Sequence, residues 1–168
     1  IDRSLVGSEM CIRDSAYMRA AEWRRAVGDL EGAIRLMRSG ARGVGGSQAS
    51  TRAWAWARVA RFELDRAEPE AALAVAEFAA EVDSRSGPAW LERGRAALSL
   101  GRGEPAISWL TCAVALSPSP EARWALAEAL DVAGRHVEAR RVRLALAREP
   151  HPSDPRSLAL FLADSRLD

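Results

Sequence analysis

No stretch of the chain alternates apolar and polar residues with the period of two that a strand needs. Apolar and small positions instead fall into helix-length blocks separated by breaks rich in Gly, Pro and Ser. The pattern predicts helices at Ala16–Val27, Leu30–Ser39, Thr51–Arg66, Glu70–Val82, Pro88–Leu100, Glu104–Leu116, Pro120–Ala133, Arg135–Ala147 and Pro155–Asp164. Pro88, Pro120 and Pro155 suit first helical positions, where the missing N–H costs nothing, and Ser119 and Asp154 stand as caps before the latter two. The Gly-rich segment from Arg42 to Gln48 is expected to form a surface loop.

The blocks repeat. Trp56, Trp90 and Trp124 are spaced 34 residues apart. After Trp90, small or turn-forming residues follow at fixed offsets: Gly94 at four, Gly101 at eleven, Ala106 at sixteen, Ala113 at twenty-three and Pro118 at twenty-eight. The same offsets from Trp56 give Ala60, Ala67, Ala72, Ala79 and Ser84, and from Tyr17 they give Ala21, Gly28, Ala33 and Gly40. The last copy fits best from Arg123, giving Ala127, Gly134 and Ala139. The loop at Arg42–Gln48 lengthens the first copy to 39 residues between Ala33 and Ala72. Each copy reads as two antiparallel helices: small residues let the rods approach, a Gly closes the first rod with a left-handed cap, and Pro or Ser-Pro turns the chain into the next copy.

This set of offsets resembles the tetratricopeptide repeat, a helix–turn–helix unit of 34 residues, and Ala89–Pro118 meets its signature best. The resemblance implies an all-α, right-handed solenoid with units at about 16–48, 51–86, 87–118 and 120–150 and a closing helix at 155–164. Two departures stand out. The family's Tyr seven after the first aromatic is Arg24, Glu63, Ala97 and Leu130 here, and the fourth unit has Arg123 where the aromatic belongs.

Residues 4–15 stand apart from this pattern. Their string, Ser4 to Ser15, resembles the in-frame translation of a transposase adapter used in preparing sequencing libraries, and residues 1–15 contain no Ala. Residues 1–15 are therefore set aside as an artefact rather than part of the fold, and Cys11 carries no argument. On this reading the chain is a fragment whose native N-terminus is missing.

Composition narrows the function. The chain has 34 Ala and 24 Arg, no Lys and no Asn, and a formal net charge of +1. No apolar run reaches the roughly 18 residues needed to span a bilayer, and two distant Cys make no disulfide framework. The Ala, Arg and Gly bias fits a GC-rich bacterial genome, and a cytoplasmic location is taken by default. Neither His136 nor His151 has a second ligand at metal spacing, Ser, Cys and His do not cluster as a triad would, and no phosphate-binding loop is present. No cofactor or metal and no catalysis are expected.

Stacks of this type resemble one another in binding proteins, with successive first helices lining a concave groove. Family offsets place Met18, Glu22 and Arg25 in the groove from the first unit, and Trp54, Ala57, Arg61 and Asp65 from the second, with Arg58 beside them. Pro88, Leu91, Arg95, Leu98 and Ser99 follow from the third, and Glu121, Trp124, Glu128 and Asp131 from the fourth. Trp54 and Trp124 are displaced from the packing position toward the groove, where a large desolvated aromatic is worth ~2 kcal/mol or more of binding. Arg61 and Arg95, equivalent residues on adjacent helices, form a fork for a carboxylate. Trp56 and Trp90 are assigned to the core, Trp109 to packing between units, and Cys112 to a small core position. Family members that grip chaperone tails use Lys and Asn, both absent here, so that sub-class is not expected.

The expected function is a non-catalytic scaffold for a peptide or helix of a protein partner, with self-association open at an uncovered end face. The alternatives are an RNA-binding helical array, with bases on Trp54 and Trp124 and phosphates on Arg58, Arg61 and Arg95, or a spacer within a larger regulator or enzyme. Nucleic acid is disfavoured, because Glu121, Glu128 and Asp131 interrupt the phosphate path and the small net charge releases few counterions.

Overall fold

The computed structural model describes residues 16–45 and 48–148, all in helices and the short turns between them. Helix α1 covers residues 16–26. It is followed by α2 (Leu30–Gly43), α3 (Ala49–Asp65), α4 (Pro69–Val82), α5 (Gly87–Ser99), α6 (Gly103–Leu116), α7 (Pro120–Val132) and α8 (His136–Arg148). The segments expected to be an artefact (1–15) and a closing helix (155–164) lie outside the described residues, as do Cys11 and His151.

Each odd-numbered helix ends in the same way. Gly28, Ala67, Gly101 and Gly134 have φ of 88°, 60°, 70° and 77°, and each is followed by a pair of backbone bonds that closes the helix end. In the third pair, Gly101 N–H donates to Leu98 O at 2.8 Å and Arg102 N–H to Ala97 O at 2.8 Å, the two bonds of a Schellman cap. The four caps place α2, α4, α6 and α8 antiparallel to their partners. Three of the turns use the glycine that the offsets require; the second uses Ala67, whose Cβ is unfavourable at positive φ.

The repeated small residues are where the rods meet. Ala21, Ala60 and Ala127 on first helices, and Ala33, Ala72, Ala106 and Ala139 on second helices, are each 0% exposed. Gly94 does a different job from the one expected: a Cβ there would overlap the Leu110 side chain of α6, 2.6 Å from its Cδ2. The glycine therefore makes room for a large neighbour rather than for a backbone. The core runs through the stack in three clusters. Met18, Ile34, Met37, Val59 and Phe62 tie α1 and α2 to α3, an alanine cluster of Ala57, Ala79, Ala80 and Ala89 joins α3 and α4 to α5, and Ile107, Leu110, Ala125 and Leu130 tie α5 and α6 to α7.

Trp56 and Trp90, expected in the core, are partly buried and pack against that central alanine cluster. Trp56 meets Phe78 edge to face at 5.2 Å, and the Trp90 Nε1–H donates to Ser84 O at 2.9 Å. Trp109 shares the Arg93 guanidinium with Trp90, at 4.1 and 5.3 Å from the two rings. Cys112 is exposed on α6, not a core residue, because it lies away from the Leu110 and Ala113 face that packs inward. Most helix boundaries differ from expectation by one or two residues, and two of the differences have a visible cause. α2 continues past Ser39 through Gly43, so Arg42 belongs to the helix rather than to a loop, because Ala41 and the capping Val44 are drawn into the first cluster. Helix α4 begins at Pro69, using the proline as its first residue.

Candidate functional site

The first helices α1, α3, α5 and α7 lie side by side, and a belt of ion pairs crosses them. Between α1 and α3, Glu22 pairs with Arg58 at 2.6 Å and Arg25 with Asp65 at 2.6 Å. Asp65 also meets Arg61 at 3.4 Å, one turn back on α3. Between α5 and α7, Arg95 pairs with Glu121 at 2.7 Å, and Glu121 also reaches Arg61 of α3 at 3.8 Å. A side chain of α3 thus comes near one of α7 across the intervening α5. Arg25 and Arg58 also stand over the Phe62 ring at 5.8 and 5.5 Å.

The centre of the belt is Glu92 on α5. It is 5% exposed and accepts from Arg95 at 3.1 Å through one oxygen, while Oε2 has no hydrogen-bond partner. Burial is the largest influence on this carboxyl and raises its pKa above the ordinary value, against the opposing charges of Arg95 and Arg61. Glu121 shows the opposite balance. Burial works against its charge, but the charge and hydrogen bond of Arg95, helped by Arg61, outweigh it and hold its pKa below the usual range. Arg25 is held above its ordinary value, chiefly by its hydrogen bond to Asp65.

The expected groove residues separate into four groups. Arg58, Arg61, Asp65 and Arg95 are brought together in the belt, joined by Glu22, Arg25 and Glu121. Arg61 and Arg95, expected to form a fork for a carboxylate, both lie near Glu121 of the same chain, Arg95 at 2.7 Å and Arg61 at 3.8 Å. Leu91, expected in the groove, is instead a core residue 7% exposed, and Met18 (8%) and Ala57 (1%) share its register position and its burial. The reason is that this position points into the contact between neighbouring helices rather than into the open face. At the end of the stack, Asp131 is held by Arg143 and by His136 at 3.0 Å, both from α8. Burial opposes its charge, and the hydrogen bonds from His136 and Arg143 prevail to lower its pKa. Trp124 carries the Arg143 guanidinium 5.6 Å from its ring and is engaged with α8. Trp54, at 38% exposure, and Glu128 present surface.

Sequence reasoning missed Glu92. Its only signal is an acid three residues before Arg95 in a helix otherwise lined by Ala89, Ala96 and Ala97. Away from the belt, a concavity of about 480 Å³ lies between α2, the end of α3 and the start of α4. Its floor is Glu63, which binds Arg38 at 2.9 Å and Arg66 at 3.2 Å and so closes its own charges. Among the described residues no group of three or more His, Cys, Asp or Glu is placed to hold a metal ion. No helix among them is long and apolar enough to cross a membrane.

No family model matches the chain, and no curated protein matches it. Solved structures do. MamA residues 41 to end from Desulfovibrio magneticus RS-1 is similar at a TM-score of 0.64 with 17% identity, over 80% of this chain and 75% of that one. Another MamA crystal structure is similar at 0.60 with 21% identity, over 75% and 71%. A thermophilic TPR protein from Thermus thermophilus is similar at 0.51 with 22% identity, over 89% and 97%. With the helix pairs, the repeated caps and the buried small residues, these likenesses show the fold: the chain is an all-α solenoid of tetratricopeptide-type helix–turn–helix repeats.

Proposed function

We propose that this chain is a non-catalytic interaction module that receives a peptide or helix of another protein on the wall formed by α1, α3, α5 and α7. The observation that carries this reading is the continuity of that wall: charged side chains from four successive first helices meet on one face instead of dispersing around the stack. Side chains already fixed by internal ion pairs lose little further freedom on binding, so a pre-set surface of this kind favours recognition. Trp54 adds an exposed aromatic on the same helix as Arg58, Arg61 and Asp65. The fold points the same way, since repeat arrays of this type generally work as scaffolds.

The RNA reading is weaker. A phosphate path along Arg58, Arg61 and Arg95 would have to displace several carboxylates at once, Glu22, Asp65 and Glu121, and these acids leave the arginines few counterions to release. The test is to compare proteins retained by the intact chain with those retained by a Trp54→Ala, Arg95→Glu double variant and by a Leu116→Ser variant on α6. The expected result is loss of specific partners from the double variant alone. Identical retention by all three removes the assignment of the wall.

A further inference from the structure

The belt contains four arginines, Arg25, Arg58, Arg61 and Arg95, and four acids, Glu22, Asp65, Glu92 and Glu121. They are not equally fixed. The Arg95 side chain is 18% exposed and braced from within by buried Glu92; Arg61 is 29% exposed and held along its own helix by Asp65. Glu121 is 56% exposed, sits in the first turn of α7, and touches Arg95 closely but Arg61 only at 3.8 Å. Each cation therefore has a second acid of its own beside it, and the anion between them is the most solvent-exposed of the three side chains. If Glu121 swings out, its carboxylate is hydrated at little cost, while Glu92 and Asp65 keep both guanidinium groups where they are. Three acids then face four arginines, leaving a fixed fork with one positive charge uncompensated.

We propose that Glu121 is a displaceable internal ligand of the Arg61–Arg95 fork, and that the partner seated on the wall is an acidic peptide segment whose carboxylate takes its place. This rests on the interaction-module reading above and adds the chemistry of the partner to it. The internal carboxylate acts as a gate. A neutral or basic segment gains nothing by displacing it, whereas an acidic one exchanges one ion pair for another and adds its remaining contacts. Guanidinium–carboxylate geometry favours the exchange because Arg offers planar paired donors.

Fluorescence anisotropy tests this with a labelled, amidated peptide, Gly-Ser-Glu-Asp-Glu-Ser-Gly, its Gln-Asn-Gln counterpart, and the acidic peptide with a free C-terminal carboxylate. Glu121→Gln and Glu121→Ala should each bind the acidic peptides about five-fold more tightly than the parent, the factor for releasing one half-exposed ion pair. Adding Arg95→Gln should abolish the gain, and the neutral peptide should show none. A gain for the amidated peptide assigns the fork to side-chain carboxylates; a gain confined to the free acid assigns it to a chain terminus. In the unsubstituted protein, which needs no variant to fold, the Arg95 Nε–Hε resonance should shift with the acidic peptides and not with the neutral one. Equal affinity of parent and both variants, an equal gain for the neutral peptide, or an unmoved Arg95 signal overturns the proposal. If the gate fails while partner retention still depends on Trp54 and Arg95, the module reading stands; if neither responds, both fall.

Discussion

Gly94 offers a quantitative test of how the repeats hold together. A Cβ added there would lie 2.6 and 3.1 Å from the Leu110 methyl carbons and closer still to its Cγ. Leu110 is 0% exposed and enclosed by α5, α6 and α7, so it has no free direction in which to turn. Over-packing at a site of this kind costs about 3 kcal/mol, at the upper end of its usual range. Replacing glycine by alanine within a helix returns about 1 kcal/mol of intrinsic propensity. The net expectation for Gly94→Ala is a loss of about 2 kcal/mol, read as a lower urea midpoint at unchanged slope. The contact, not the backbone, is the claimed cause, and a double-mutant cycle isolates it. Leu110→Ala alone should cost about 3–5 kcal/mol by leaving a cavity. Adding Gly94→Ala in that background should cost nothing or regain up to about 1 kcal/mol of propensity. A Gly94→Ala protein as stable as the parent, or a loss of equal size with Leu110 removed, would refute the reasoning.

Other outcomes follow from single positions. Ala67 stands at φ 60° where the other three caps use glycine, so Ala67→Gly should stabilise by about 0.5–1 kcal/mol, relief of left-handed strain less the extra chain entropy of glycine; thermal unfolding measures it. The Ser119 side chain accepts from Ala122 N–H at 3.1 Å at the start of α7, and Ser119→Ala should cost about 1 kcal/mol in the same assay. Glu92 has a folded pKa above its unfolded one. Its burial therefore disfavours folding progressively as pH rises from the unfolded carboxyl value through the raised folded one, and the stability of Glu92→Gln relative to the parent should increase across that window. Glu121 is displaced the other way, so what it contributes is present above the ordinary glutamate value and lost as pH falls through its lowered one; Glu121→Gln should flatten the acid limb of the unfolding curve.

The helix pairs were legible because the constraint is local and repeated. A positive φ selects glycine, and touching rods select alanine, so both leave marks at fixed offsets. Ala67 shows the limit of that logic, since a Schellman cap supplied with its two backbone bonds closes on an alanine too. The extension of α2 through Gly40 and Gly43 was hidden because helix propensity argues against it; burial of Ala41 and Val44 overrides that preference. Within the wall, the charged positions were readable from register, but Leu91 was misplaced because neighbouring first helices pack directly through its position. The role of Glu121 and the burial of Glu92 arise only when α3, α5 and α7 come together, and no local spacing encodes an ion pair between residues 61 and 121.

The central claim is that partners sit on the wall of first helices. Carboxyl footprinting with and without a retained partner addresses it most directly. The account predicts that the partner protects Asp65 on α3 and Glu128 on α7, while Glu70, Glu81 and Glu104 on α4 and α6 label as before. Protection of the second-helix acids with Asp65 and Glu128 unchanged would contradict it.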